Sequence, residues 1–308
     1  MRRQVGRVVA AVAVLGAVVS GCGAGPSQVG SAVIIGSDAI PLAQVQEQIT
    51  TALSPEKAQA VAGRNQGAGG DYGPQQVARE VVTAAILSNL LDRRIAEEGI
   101  TISDAEVDAA LAGIGTAEEL DQVSLYTPEV QRERIRDDLA AAALGAKYVD
   151  RLGVTLQFTG FPTEEEALAA AQIAAAGGPA ADAVFADAPP EGQAAQIRAA
   201  ENPALATSFA FGTPAGSVVV LQPAQDGAPW TVVRILERTN DLPPTGPSAV
   251  DRFSQADLQL IGYRLLQPLA AELGVQVNPR YGVWDPIQLG VVGAEETAGV
   301  IVSPPALE

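Results

Sequence analysis

The stretch Pro74-Gln75-Gln76-Val77-Ala78-Arg79-Glu80-Val81-Val82-Thr83-Ala84-Ala85-Ile86-Leu87-Ser88-Asn89-Leu90-Leu91-Asp92-Arg93-Arg94-Ile95 decides the fold. Pro74 suits a first helical position, where its missing amide would have no intrahelical partner. Val77, Val81, Ala84, Ala85, Leu87, Leu91 and Ile95 then recur at helical spacing until Gly99 stops the run. Val82, Ile86 and Leu90 add a second apolar stripe. A helix apolar over so much of its girth sits centrally, with neighbours on more than one side.

Those neighbours are legible on both sides. Upstream, Ala32-Val33-Ile34-Ile35 reads as a strand closed by the turn Gly36-Ser37-Asp38, and Pro41 opens a helix carrying Leu42, Val45, Ile49 and Leu53 as far as Ala62. Residues 64–73 hold four glycines and no periodic apolar residue, the pattern of a mobile loop. Downstream, Ser103 with Glu106 and Thr116 with Glu119 match the capping-box spacing, so two short helices follow. Thr127-Pro128 starts another, with Val130, Ile135, Leu139, Ala143, Leu144 and Tyr148 on it and Gly153 as its stop. Residues 42–152 are a helical body.

The period then changes. Val154-Thr155-Leu156-Gln157-Phe158 alternates as a half-buried strand does, and Thr163 with Glu166 caps a helix ending at Gly177-Gly178. Residues 179–193 lack the sequence for a packed element. A short helix at 194–200 leads to Phe209-Ala210-Phe211, and the β-branched runs 216–220 and 230–235 read as an antiparallel strand pair. Three prolines mark residues 240–247 as a linker. Ser248 with Asp251 begins a last long helix to Gly274, kinked at Pro268, and Val275-Gln276-Val277 is one more strand. The stretch from Gly293 reads as disordered.

The opening residues carry a separate signal. Arg2, Arg3 and Arg7 precede an apolar run at 8–19 that is shorter than the roughly 20 residues of a membrane-spanning helix, as in a secretory signal. Val19-Ser20-Gly21-Cys22 resembles the bacterial lipoprotein box, which implies that Cys22 is lipidated and anchors the mature chain. About 285 residues remain, enough for one large or two modest domains. The net charge is −17, which repels phosphate backbones and excludes nucleic acid as a partner. Cys22 is the only cysteine, so no internal disulfide forms, and with no histidine the chain lacks the commonest general base and zinc ligand.

Candidate chemistry is sparse. Glu164-Glu165-Glu166, Glu295-Glu296 and Asp137-Asp138 read as charge runs on solvated faces, since consecutive helical carboxylates point in different directions. Asp71 sits in a glycine-rich loop without the alternating aspartates of a calcium site. No phosphate cradle, metal-ligand pair or nucleophile elbow appears, so no catalytic residue, cofactor or metal is expected. Trp230, Trp284, Tyr126 and Tyr281 suit either core packing or a binding groove.

The order of elements, with residues 32–41, the helix at 77–98, Phe209-Ala210-Phe211 with Gly216-Ser217, and the closing strand at 275–281, resembles the SurA and PrsA type of extracytoplasmic foldase. The resemblance implies a mainly α chain with a smaller α+β domain: a discontinuous helical chaperone domain with a parvulin-like unit inserted. On that frame residues 1–21 are the signal peptide and 22–31 a linker. Residues 32–153 plus 248–286 form the helical domain, 154–240 the parvulin-like unit, 241–247 a linker and 287–308 a flexible tail. Parvulins resemble one another in a core histidine pair. Here the corresponding strands read Val154-Thr155-Leu156 and Trp230-Thr231-Val232-Val233, with Thr231 about where a histidine is expected, so the unit is degenerate and no isomerase activity is expected.

The function this implies is a chaperone-like lipoprotein on the outer face of the bacterial cytoplasmic membrane, binding unfolded or extended segments of exported proteins. A groove among the long helices, with Leu87, Leu91, Ile95, Tyr126, Leu139, Phe253 and Leu265 as candidate client contacts, would bury client side chains reversibly. The alternative is an envelope adaptor docking one specific protein partner.

Overall fold

The computed structural model describes residues 28–67 and 72–304; Cys22, the signal-like opening and residues 68–71 of the glycine-rich loop lie outside the described residues. β1 (Ser31–Ile35) is wholly buried and turns through Gly36 into β2 (Asp38–Pro41), which leads into α1 (Leu42–Ala52). The single helix expected as far as Ala62 is interrupted, because proline disfavours the helical conformation in the residue before it. Ser54 is accordingly extended, Pro55 opens a short 3-10 turn, and the chain resumes as α2 (Ala58–Gly67). This helix takes in residues 64–67, the first part of the expected loop.

α3 (Pro74–Glu98) is the 25-residue helix on which the others pack, ended by Gly99 in the left-handed conformation. Val77, Val81, Val82, Ile86, Leu90 and Leu91 are fully buried, so residues from both apolar stripes reach the core. α4 (Asp104–Ile114) and α5 (Ala117–Val123) start at the two capping boxes, where Glu106 and Glu119 accept from the amides of Ser103 and Thr116, each at 2.8 Å. α6 (Pro128–Tyr148) starts at Thr127 and ends five residues before Gly153.

The α+β part follows with β3 (Gly153–Phe161), α7 (Glu164–Ala176), α8 (Gly178–Val184), β4 (Ala195–Arg198), α9 (Pro203–Ala206), β5 (Val218–Leu221) and β6 (Trp230–Thr239). Its strands lie in the order β5-β6-β3-β4, all antiparallel. Two expectations need correction. Residues 179–193 do hold a packed element: α8, Phe185 and Ala188 bury against the alanine face of α7, where small side chains allow close approach. Residues 195–198 form an edge strand rather than a helix, because pairing with residues 153–156 of β3 overrides a weak local preference.

The chain then returns to the helical body. The last helix does not start at Ser248, whose hydroxyl instead donates to Asp150 at 2.7 Å. α10 (Gln255–Arg264) starts at Ser254, in a capping box with Asp257, and the kink expected at Pro268 is a full break into α11 (Gln267–Leu273). β7 (Val275–Val277) pairs antiparallel with β1, placing Val277 opposite Val33 and Val275 opposite Ile35. The tail from residue 287, expected to be flexible, carries strands as far as Val302. β8 (Val283–Asp285) and β9 (Gly290–Val292) form a hairpin, and β10 (Gly299–Val302) adds a fifth strand along β5, whose free edge offers hydrogen-bond partners to the apolar run Val300-Ile301. Residues 305–308 lie outside the described residues.

The two ends of the chain share one core, in which Phe253, Leu258, Ile261, Leu265 and Leu266 pack in the same cluster as Val77, Val82 and Leu90. α6 and α10 cross almost backbone to backbone. A methyl group on Gly145 would lie 1.9 Å from the carbonyl oxygen of Leu258, and one on Gly262 would lie 1.9 Å from that of Ala141. Among the described residues no helix is long and apolar enough to cross a membrane. Because neither backbone can yield without separating the helices, Gly145→Ala is expected to lower stability by about 2–3 kcal/mol in urea unfolding. Gly113→Ala, where a methyl group meets nothing within 4 Å, is expected to leave stability unchanged or slightly raised.

Candidate functional site

A cleft of about 730 Å³ opens along the face of α3 that carries Ala84, Leu87 and Ser88. α6 forms the facing wall. β2 with the start of α1, β9 with Glu296, and Gln259 and Tyr263 of α10 complete the lining, so segments from both ends of the chain build it. α3 leaves this face half-buried because its bulkier residues are turned into the core on the other sides.

One end of the cleft is a closed polar network. Glu80 accepts from the hydroxyl of Tyr126 at 2.9 Å, from the guanidinium of Arg64 at 2.9 Å and from the hydroxyl of Tyr72. Burial, with the Glu80 charge beside it, pushes the Tyr126 hydroxyl well above the usual tyrosine value, so it stays a donor. The Arg134 guanidinium lies over the Tyr126 ring, 4.4 Å from its centroid, in cation–π contact. At the β9 end, Arg79 forms an ion pair with Glu296, and the Thr83 hydroxyl accepts from the Val291 amide at 2.8 Å.

The α6 wall is acidic. Asp138 Oδ1 accepts from Gln259 Nε2 at 2.6 Å and from the Tyr263 hydroxyl at 2.9 Å. Burial pushes the Asp137 carboxyl up to about 6, with Asp92 and Asp138 adding repulsion and Ser88 and Arg134 opposing it. Burial raises Asp138 as well, against the pull of Tyr263 and Arg134. The pair read from the sequence as a solvated face therefore stands on a cavity wall: side chains about 100° apart on a helix still both reach a wide opening.

Of the residues proposed as client contacts, Leu87 and Tyr126 line the cleft. Leu91, Phe253 and Leu265 are buried in the core and Ile95 packs against it, while Leu139 is half-buried outside the lining. Trp284 and Tyr281 pack in the main core and Trp230 in the cluster around α7. Thr231 sits within β6 opposite Gly160 and Leu221, away from the cleft. The lining residues that sequence reasoning missed, Arg134, Asp137, Asp138, Gln259 and Tyr263, are polar positions on otherwise core-forming helices. Their only sequence signal is that Asp137 and Asp138 fall between Ile135 and Leu139. Among the described residues no group of three or more metal-binding side chains converges.

No family model matches the chain and no curated protein matches it. Among solved structures it is similar to the foldase protein PrsA from Streptococcus pneumoniae, at 17% identity over 75% of this chain and 84% of that one, with a TM-score of 0.24. It is also similar to the PrsA foldase from Lactococcus lactis, at 11% identity over 81% and 95%, TM-score 0.28. A third is a Campylobacter jejuni structure from the pair PEB4 and Cj1289, described as SurA-like chaperones, at 12% identity over 80% and 98%, TM-score 0.23. These are proteins of the kind that the sequence resembles. At TM-scores of this size the likeness carries no site residue across to this chain.

Asp137 offers a direct check on the site's electrostatics. A carboxyl whose folded pKa is raised opposes folding fully above about pH 6, and the penalty fades as pH falls toward the ordinary aspartate value of 3.8. Asp137→Asn is therefore expected to stabilise the chain by about 1–2 kcal/mol at neutral pH, discounted for partial exposure, with the gain gone below about pH 4. Thermal unfolding across that range measures it.

Proposed function

We propose that this chain is a membrane-anchored, extracytoplasmic chaperone-like protein whose cleft holds unfolded or extended segments of exported proteins, without isomerase catalysis. The observation that carries the proposal is the cleft's mixed lining. An extended segment presents an amide and a carbonyl at every residue and apolar side chains on alternate sides. Gln44 and Gln48 offer side-chain amides that donate and accept at once, while Leu87 and Val130 offer apolar contact. A volume near 730 Å³ falls in the range of binding clefts and accommodates a few residues rather than a folded domain.

In this reading residues 32–153 and 248–286 form one discontinuous chaperone-like domain, supported by the β1–β7 pairing and the α6–α10 crossing. Residues 154–240 form a degenerate parvulin-like unit, supported by the antiparallel sheet and by a sequence without histidine. Cys22 carries the anchor, supported by the basic and apolar residues before it and the small residues beside it.

The chain from residue 23 is expected to delay aggregation of chemically denatured client proteins at equimolar ratio, and Leu87→Glu, which puts a charge on the cleft's apolar face, to weaken that effect by about half or more. Light scattering measures both, and no delay for several unrelated clients contradicts the proposal. Cys22→Ala is expected to move the full-length protein from the membrane to the soluble fraction. Acceleration of prolyl-peptide isomerisation by the purified chain contradicts the non-catalytic part.

A further inference from the structure

The cleft's lining carries more negative charge than its own cations use. Six carboxylates (Glu80, Asp92, Glu133, Asp137, Asp138 and Glu296) face two guanidiniums. Arg79 is engaged by Glu296, whereas Arg134, stacked over the Tyr126 ring, favours the charged forms of Asp137 and Asp138 without forming an ion pair with either. Glu80 is also engaged, by Arg64 from outside the cleft. Asp92, Glu133, Asp137 and Asp138 remain, and among the described residues none of them forms an ion pair. Asp92 and Glu133 stand exposed at the mouth, whereas Asp137 and Asp138 are half-buried on the wall.

The wall is built rather than accidental in one respect. Gln259 and Tyr263 reach over from α10 and both bond the same oxygen of Asp138, Oδ1. The carboxylate is thereby fixed in orientation, and among the described residues no side chain or backbone amide bonds Oδ2. Half-buried carboxylates that share one nearby guanidinium, Arg134, are unfavourable, and a further cation bonded to them offsets the desolvation penalty and the mutual repulsion together. With no histidine in the chain and its only cysteine at residue 22, the donor set suits an ammonium or guanidinium group better than a transition metal.

Resting on the reading of the cleft as a client site, we propose that its α6 wall makes it selective for extended segments that carry a lysine or arginine beside apolar residues. The basic side chain enters between Asp137 and Asp138 with Asp92 and Glu133 at the mouth, and the apolar neighbours lie along Leu87 and Val130. The chain's net charge of −17 steers such segments toward the protein before contact.

The test uses three fluorescent peptides of one extended apolar framework, with lysine, glutamine or glutamate at the central position, titrated against the chain from residue 23 by anisotropy. The lysine peptide is expected to bind about 10-fold tighter than the glutamine peptide and the glutamate peptide weakest, with the spread compressed at about 0.5 M salt. Asp137→Asn with Asp138→Asn is expected to bring lysine and glutamine within about 2-fold of each other, mainly through loss of lysine-peptide affinity. Should that pair of substitutions unfold the chain, Asp92→Asn with Glu133→Gln at the exposed mouth is expected to halve the lysine preference or more. Equal binding of the lysine and glutamate peptides overturns the selectivity and leaves the cleft as a client site. No binding by any of the three overturns both.

Discussion

Everything else in this molecule depends on the crossing of α6 and α10 at Gly145 and Gly262, where two backbones approach too closely for even one methyl group on either side. The contact joins residues separated by more than a hundred positions and sets how far α10 stands from α6. Gln259 and Tyr263 leave α10 next to that crossing and reach Asp138 on α6. A shift of either helix would move the end wall of the cleft with it. The β1–β7 pairing acts in the same sense further along, since it holds the first described strand against a late one. A sheet strand and a helix crossing, each between distant parts of the chain, close the same body from two places.

The cleft that results is less apolar than a helical body rich in alanine, valine and leucine suggests. The core takes most of the large aliphatic residues of α3 and leaves Leu87, with Ala84 and Ser88, for the opening. Polar side chains line the opposite wall, and Asp92 of α3 repels Asp137 of α6 across the opening. Burial of carboxylates lowers stability at neutral pH, and a cavity of about 730 Å³ forgoes packing on both walls. Both features stand against folding, which is the usual physical mark of a surface shaped by something other than stability.

Much of the architecture was legible in the sequence wherever a local rule had no tertiary competitor. The central helix, the capping boxes at Ser103 and Thr116, and the hairpin-like strands around residues 218 and 232 depend on spacing and backbone donors alone. Misses came where a distant partner decided the outcome. Residues 195–198 became a strand because the edge of β3 was open, and residues 299–302 became ordered because the edge of β5 was. Of the site, Leu87 and Tyr126 were legible. The acidic wall was not, because nothing in the run Arg134 to Leu139 says which side of α6 faces a cavity and which faces water.

The central claim is that the late segment completes the helical body rather than decorating it. Urea unfolding of a chain ending at Pro247, followed by circular dichroism and tryptophan fluorescence, tests this most directly. Loss of the cooperative transition, with helical signal falling away at low urea, is the result the account predicts. A cooperative transition with the midpoint of the full chain contradicts it.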